Sequence, residues 1–100
     1  MCYVYILYSQ SLDRYYTGCT EYSPEERLLQ HNDKHYDNSY TFFGIPWEIY
    51  YVIRCDTIAQ ARAIEQHIKR MKSKKYIENL KKYPEMSDKL IQKYKPSTDT

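Results

Sequence analysis

Between Tyr3 and His31 the chain gathers tyrosines, an arginine and a histidine into one short stretch, YVYILYSQSLDRYYTGCTEYSPEERLLQH. Arginine presents a planar fork of donors that matches phosphate geometry and keeps its charge, so Arg27 suits an anionic substrate. Tyrosine, with a reference pKa of about 10, is a poor base at neutral pH. It becomes usable where cations favour the phenolate, or where it relays a proton within a hydrogen-bonded network. Arg27 and His31 stand four apart, which places both on one face of a helix. Farther on, Glu65 falls between Ala61 and Ile68, at the edge of an apolar helical stripe. A carboxylate there is unfavourable unless it is paired, hydrated in a cleft or bound to a cation. Each residue also has a plain structural role. Tyr5 and Tyr16 suit an aromatic pair across a hairpin, Arg27 a bond to a neighbouring glutamate, and His31 the end of a helix. Glu65 suits a surface pair with Lys69 at i, i+4.

The elements that must position these groups are well marked. Tyr3 to Tyr8 reads as a strand, Ser9 to Arg14 as a polar turn, and Tyr15 to Cys19 as a second strand, together a hairpin. A helix of about Pro24 to Asn32 follows, with Ser23 as N-cap, Pro24 at the first position and Glu26 completing a capping box. The polar segment His31 to Tyr40 reads as a loop, and Gly44-Ile45-Pro46 as a turn. Trp47, Ile49, Tyr51 and Ile53 alternate with more polar neighbours, which predicts a third strand over Trp47 to Arg54 with its apolar positions toward the helices. Asp56 or Thr57 caps a second helix from Ile58 to about Lys72, whose stripe is Ile58, Ala61, Ile64, Ile68 and Met71. Ser73 is a candidate cap for another helix through Tyr76, Ile77 and Leu80, interrupted at Pro84. Ser87 to Tyr94 suggests a final short helix, with a frayed tail from Pro96. The expected fold is α+β, a small three-stranded antiparallel sheet flanked by three or four helices.

Tyr3-Val4-Tyr5, Tyr16-Thr17-Gly18, Arg27 and His31 in this order resemble the GIY-YIG nuclease superfamily, over roughly Cys2 to Leu80. That superfamily carries two tripeptides on adjacent antiparallel strands, an arginine on the first helix and a glutamate on a later one. Tyr5 and Tyr16, eleven positions apart, match the tyrosines of the two tripeptides. Tyr3 and Val4 replace the first glycine and isoleucine, and Thr17 replaces the central isoleucine of the second. The text ARAIEQHIKRMK resembles the setting of the metal-binding glutamate, which the resemblance assigns to Glu65. It implies a divalent-metal-dependent endonuclease that hydrolyses DNA phosphodiester bonds, with Mg²⁺ or Mn²⁺ held by Glu65. A single carboxylate is a sparse ligand set, so such an ion keeps several waters and borrows phosphate oxygens. By the same resemblance Tyr5 activates the water, Tyr16 positions the water or the phosphate, His31 assists proton transfer and Arg27 contacts the phosphate. Members differ in which tyrosine serves as the base. His35 and His67 match no position and receive no role.

Composition bounds the rest. One hundred residues suit a single domain with one modest core. We expect a nuclease-like domain over residues 1–83 and a C-terminal helical extension and tail over 84–100. Thirteen tyrosines stand against two phenylalanines and one tryptophan, giving a core rimmed by rings that keep a hydroxyl for solvent or a partner. The formal charge of +2 is uneven: residues 1–65 hold five Lys or Arg against nine Asp or Glu, and residues 66–100 hold ten against four. A charge run is often a solvated helix face, but this asymmetry also suits a polyanion. Lys69, Arg70, Lys72, Lys74 and Lys75 are the expected nucleic-acid contacts. Cys2, Cys19 and Cys55 are odd in number and form no CxxC pair, which favours reduced thiols over a zinc site or a disulfide framework. No apolar run approaches membrane-spanning length, and polar residues from Ser9 onward exclude a secretory apolar segment. The expectation is a cytoplasmic protein without a membrane partner.

A lone catalytic domain has little surface for reading bases, so branched, nicked or flapped DNA in repair or recombination is the expected target, compatible with a protein partner that supplies specificity. Two other readings stand beside this one. A non-catalytic nucleic-acid-binding module on the same fold would use basic helices and tyrosine stacking platforms. A small interaction protein would present its tyrosine-rich surface to another protein.

Overall fold

The structure is a computed structural model that describes residues 1–33 and 43–95. Three antiparallel strands, β1 (Cys2–Ser9), β2 (Arg14–Thr20) and β3 (Trp47–Cys55), form one sheet in the order β2-β1-β3. The described helices are α1 (Pro24–Asn32), α2 (Ile58–Met71), α3 (Lys74–Lys82) and α4 (Glu85–Lys93). The fold is therefore α+β, as the patterning predicts. The expected loop lies outside the described residues from Lys34 onward, as do His35 and the expected tail from Pro96.

β1 is the central strand and is buried on both faces, with Val4, Tyr5, Ile6 and Leu7 almost fully enclosed. Its odd and even positions feed two separate clusters. On one face Tyr5, Leu7 and Trp47 pack with Tyr16, Leu28, Ile45, Ile49 and Val52, beneath α1. On the other, Val4, Ile6 and Ile53 pack with Ala61, Ile64, Ile68, Leu80 and Leu90 from α2, α3 and α4. Each buried Val, Leu or Ile among them stabilises the fold by about 1.5–3 kcal/mol.

The alternation of β3 does not serve one face. Ile6 pairs with Tyr51 while Leu7 pairs with Ile49, so an extra residue, Tyr50, sits in β3. This β-bulge sends Trp47 and Ile49 to the α1 face and Tyr51 and Ile53 to the α2 face. All four still meet helices, but through both sides of the sheet.

Three helix starts follow their capping signals. The hydroxyls of Ser23, Thr57 and Ser73 each accept from the backbone N–H three residues on, at 3.1 Å in every case. Thr57, rather than Asp56, is thus the cap of α2. The final helix begins at Glu85, two residues before the expected Ser87, with Pro84 at the N-cap position and no side-chain cap bond. Ser87 is instead buried, and its hydroxyl lies 2.9 Å from that of Tyr51.

Candidate active site

The β1–β2 register sets the first part of the site. Tyr5 stands opposite Gly18 and Leu7 opposite Tyr16, so both tyrosines project from the α1 face, with ring centroids 6.5 Å apart. Gly18 is needed for this arrangement, because a Cβ there would lie 2.5 Å from the Tyr5 hydroxyl oxygen. The ring of Tyr5 occupies the space where any other residue would place a side chain.

Helix α1 supplies the second part. Its end is fixed by Asn32, whose side-chain amide donates to the Trp47 carbonyl at 2.9 Å and whose carbonyl accepts from the Trp47 N–H. This clamp lays the Arg27 and His31 face over Tyr5. The Tyr5 hydroxyl oxygen accepts from Nε of Arg27 at 3.3 Å and lies 3.2 Å from Nε2 of His31. Tyr16 stacks against His31 with centroids 4.8 Å apart. Arg27 also donates through Nη1 to Gln30 at 2.7 Å. On its outer side Arg27 borders a shallow depression of about 250 Å³ with Tyr22, Glu26 and Gln30.

Burial sets the protonation of this cluster. Tyr5 is 1% exposed, and burial raises its pKa above the ordinary phenol value despite the hydrogen bond and charge of Arg27, which pull it down. Burial, helped by the Arg27 charge, pushes His31 down to about 4, so its imidazole is neutral at neutral pH. Tyr16 is half-buried and so more accessible than Tyr5.

Glu65 approaches from the other side of the sheet. Helix α2 packs on the face opposite α1, and Glu65 meets Cys19, whose side chain points to that face because it pairs with Val4. The Cys19 thiol donates to Oε1 of Glu65 at 3.3 Å. Burial, then that hydrogen bond, pushes the thiol up to about 11, so it is a donor rather than a thiolate. Oε2 of Glu65 lies 2.9 Å from Nζ of Lys69, the i, i+4 ion pair that spacing alone favours. The connection to the tyrosines passes over β2, an edge strand. Nζ of Lys69 lies 5.9 Å from the centre of the Tyr16 ring. Burial disfavours the Lys69 charge, but the hydrogen bond and charge of Glu65 outweigh it and raise its pKa. Tyr5, Tyr16, Arg27 and His31 therefore form one contact cluster, and Glu65 lies across the β2 edge from it, linked through Lys69.

Among the described residues no three His, Cys, Asp or Glu side chains gather as a metal site. Glu65, the carboxylate that the resemblance assigns to the metal, already holds one cationic group, the Lys69 ammonium. A hard cation that keeps most of its waters fits such a carboxylate once Lys69 moves aside.

The expected nucleic-acid contacts divide. Lys69, Lys72 and Lys74 line the surface between β2 and α3, whereas Arg70 donates through Nη2 to the Tyr94 hydroxyl at 3.4 Å, toward α4. Lys75 is exposed and lies outside that lining. Sequence reasoning missed two residues here, Cys19 against Glu65 and Arg14 beside the lysines. The strand register could have found Cys19, since a residue opposite core Val4 must face α2.

The family model of the GIY-YIG catalytic domain matches residues 1–81. Neither the curated proteins nor the solved structures contain a match.

Proposed function

The chain belongs to the GIY-YIG nuclease superfamily, and on that footing we propose that it is a divalent-metal-dependent endonuclease hydrolysing DNA phosphodiester bonds. The reading extends to structure-selective action in repair or recombination, in the cytoplasm, with a protein partner supplying further specificity. Family membership supports nuclease chemistry in general. No described helix is long and apolar enough to cross a membrane. The observation that carries the proposal is the Tyr5 hydroxyl held between Arg27 and His31, with Tyr16 beside them.

Arg27 exchanges Gln30 for a phosphate oxygen and keeps Nε on Tyr5, coupling substrate binding to the tyrosine. Tyr5 is too buried to rest as a phenolate, so it acts as a relay. Water entering alongside the half-exposed Tyr16 gives its proton to Tyr5, while the Tyr5 proton passes to Nε2 of neutral His31. Glu65 would hold Mg²⁺ or Mn²⁺, which when bound polarises the phosphate and stabilises the leaving oxygen. Lys69 must release Glu65 for that to happen, and a phosphate arriving over the β2 edge gives the ammonium another partner.

The closed Glu65–Lys69 pair favours a second reading, a non-catalytic nucleic-acid-binding module on the same fold. A cleavage assay on duplex, single-stranded, flap and four-way-junction DNA with Mg²⁺, Mn²⁺ or EDTA separates the two. Metal-dependent cutting of branched substrates is expected. Binding without cutting in either metal would establish the module instead.

A further inference from the structure

The turn joining α2 to α3 builds a feature that the chemistry above does not use. A groove of about 620 Å³ opens between the β2 edge and the start of α3, lined by Arg14, Tyr15, Thr17, Lys69, Lys72 and Lys74 among others. Four of these carry positive charge. Among the described residues the acidic groups paired with them are Asp13, on Lys74 at 3.1 Å, and Glu65, on Lys69 at 2.9 Å, with Glu78 near Tyr15. Asp13 is itself mostly exposed, so its pairing with Lys74 is screened and readily exchanged for a phosphate.

Two details show that the groove is a fixed shape rather than a run of solvated lysines. Tyr15 is held by ring contacts to Tyr8 and Tyr50, with centroids 5.0 and 4.9 Å away. Lys72 adopts φ 48°, ψ 43° at the end of α2, the left-handed conformation that helix ends usually reserve for glycine. A lysine at that strained position sets an ammonium at the groove where a glycine would relax the backbone and supply no charge.

We propose that this groove binds the sugar–phosphate backbone of an unpaired nucleic-acid strand and delivers it over the β2 edge to Tyr16 and Arg27. The inference rests on the nuclease reading and adds the form of the substrate. The groove is open to solvent and its volume suits a nucleotide or two, whereas a double helix is too wide to enter it. Lys69 joins groove to site, since it lines the groove and also neighbours Glu65 and the Tyr16 ring. Arg14 becomes a strand-binding residue, and Arg70 and Lys75 do not.

The test is fluorescence anisotropy in EDTA, with single-stranded and blunt duplex oligonucleotides of equal length. Arg14→Ala, Lys72→Gly and Lys74→Ala are compared with Arg70→Ala and Lys75→Ala, which remove the same charge outside the groove. Each groove variant is expected to weaken single-strand binding roughly fivefold and to flatten its log–log salt slope by about 0.7 for each phosphate left without its cation. Duplex affinity should fall no further than in the two controls. Lys72→Gly should unfold at the wild-type temperature or above, which separates weakened binding from disrupted structure. Equal losses in groove and control variants would overturn the proposal, as would equal losses for duplex and single strand, or no single-strand binding by the wild type. Because binding is read without metal, absence of cleavage in a separate Mg²⁺ assay would count against the nuclease reading and leave the binding result intact.

Discussion

A single methyl group is enough to disturb the candidate site. Alanine at Gly18 would bring its Cβ to 2.5 Å from the Tyr5 hydroxyl oxygen, and the buried Tyr5 ring, packed among Leu7 and Trp47, has little room to retreat. Gly18→Ala is expected to cost about 1–3 kcal/mol of stability, and a crystal structure of the variant should show the Tyr5 hydroxyl displaced from Arg27 and His31. Wild-type stability with Tyr5 unmoved would contradict the close approach. His31 makes a second prediction at this scale. Its folded pKa of about 4 lies below the ordinary histidine value of 6.5, so the unfolded chain binds the extra proton first. Stability contributed by the neutral ring is complete above pH 6.5 and is lost as pH falls toward 4, on the order of 2–3 kcal/mol at most. His67, also lowered, acts in the same direction. Denaturant titrations across that range should show the decline in the wild type and a clearly smaller one in His31→Gln. Parallel pH profiles for the two proteins would show that the His31 proton is not taken up on unfolding.

At the scale of elements, much was legible because the signals were local. The Ser23 cap ahead of Pro24, the hydroxyl at Ser73, and the four-residue spacing of Arg27 and His31 each depend on a few neighbouring residues, and each is found where the sequence put it. What was not legible depends on partners far away in the chain. The bulge at Tyr50 arises only when β3 pairs with β1, so alternation alone could not reveal that Tyr51 and Ile49 face opposite sides. The expected start of the final helix at Ser87 falls two residues late, because α4 begins behind Pro84 without a side-chain cap bond and Ser87 is used against Tyr51. The proposed boundary at residue 83 faces a similar test, since α4 inserts Leu90 into the core and Gln60 on α2 donates to the Ile91 carbonyl at 3.1 Å. Truncation after Tyr83 is expected to remove at least about 1.5–3 kcal/mol, the burial of one leucine, and chemical unfolding of the shortened chain would measure it. An unchanged midpoint would make α4 an appendage.

Over the whole molecule, the basic excess of residues 66–100 was visible as composition, but only the fold separates Lys72 and Lys74 beside β2 from Arg70 beside α4. The family resemblance likewise nominated Glu65 beside the tyrosines, whereas the sheet lies between α2 and α1 and the link runs around the β2 edge through Lys69. A molecule of this charge layout should bind duplex DNA with a log–log salt slope of about −0.9 for each phosphate neutralised; a flat dependence would instead favour a protein-binding role for the tyrosine-rich surface. The edge crossing makes Glu65 the decisive residue. Single-turnover cleavage of a flap substrate in Mg²⁺, measured for wild type and Glu65→Gln alongside DNA affinity and thermal unfolding, addresses it directly. Loss of a group that stabilises transition-state charge costs about 10²–10³ in rate, so Glu65→Gln should fall by at least that factor while binding DNA as well as the wild type or slightly better. Its unfolding temperature should fall only modestly, because glutamine keeps an acceptor for the Cys19 thiol and only the charge of the i, i+4 pair with Lys69 is lost, from a side chain that is 14% exposed. Cleavage by Glu65→Gln at the wild-type rate would leave Glu65 as nothing more than the partner of Lys69.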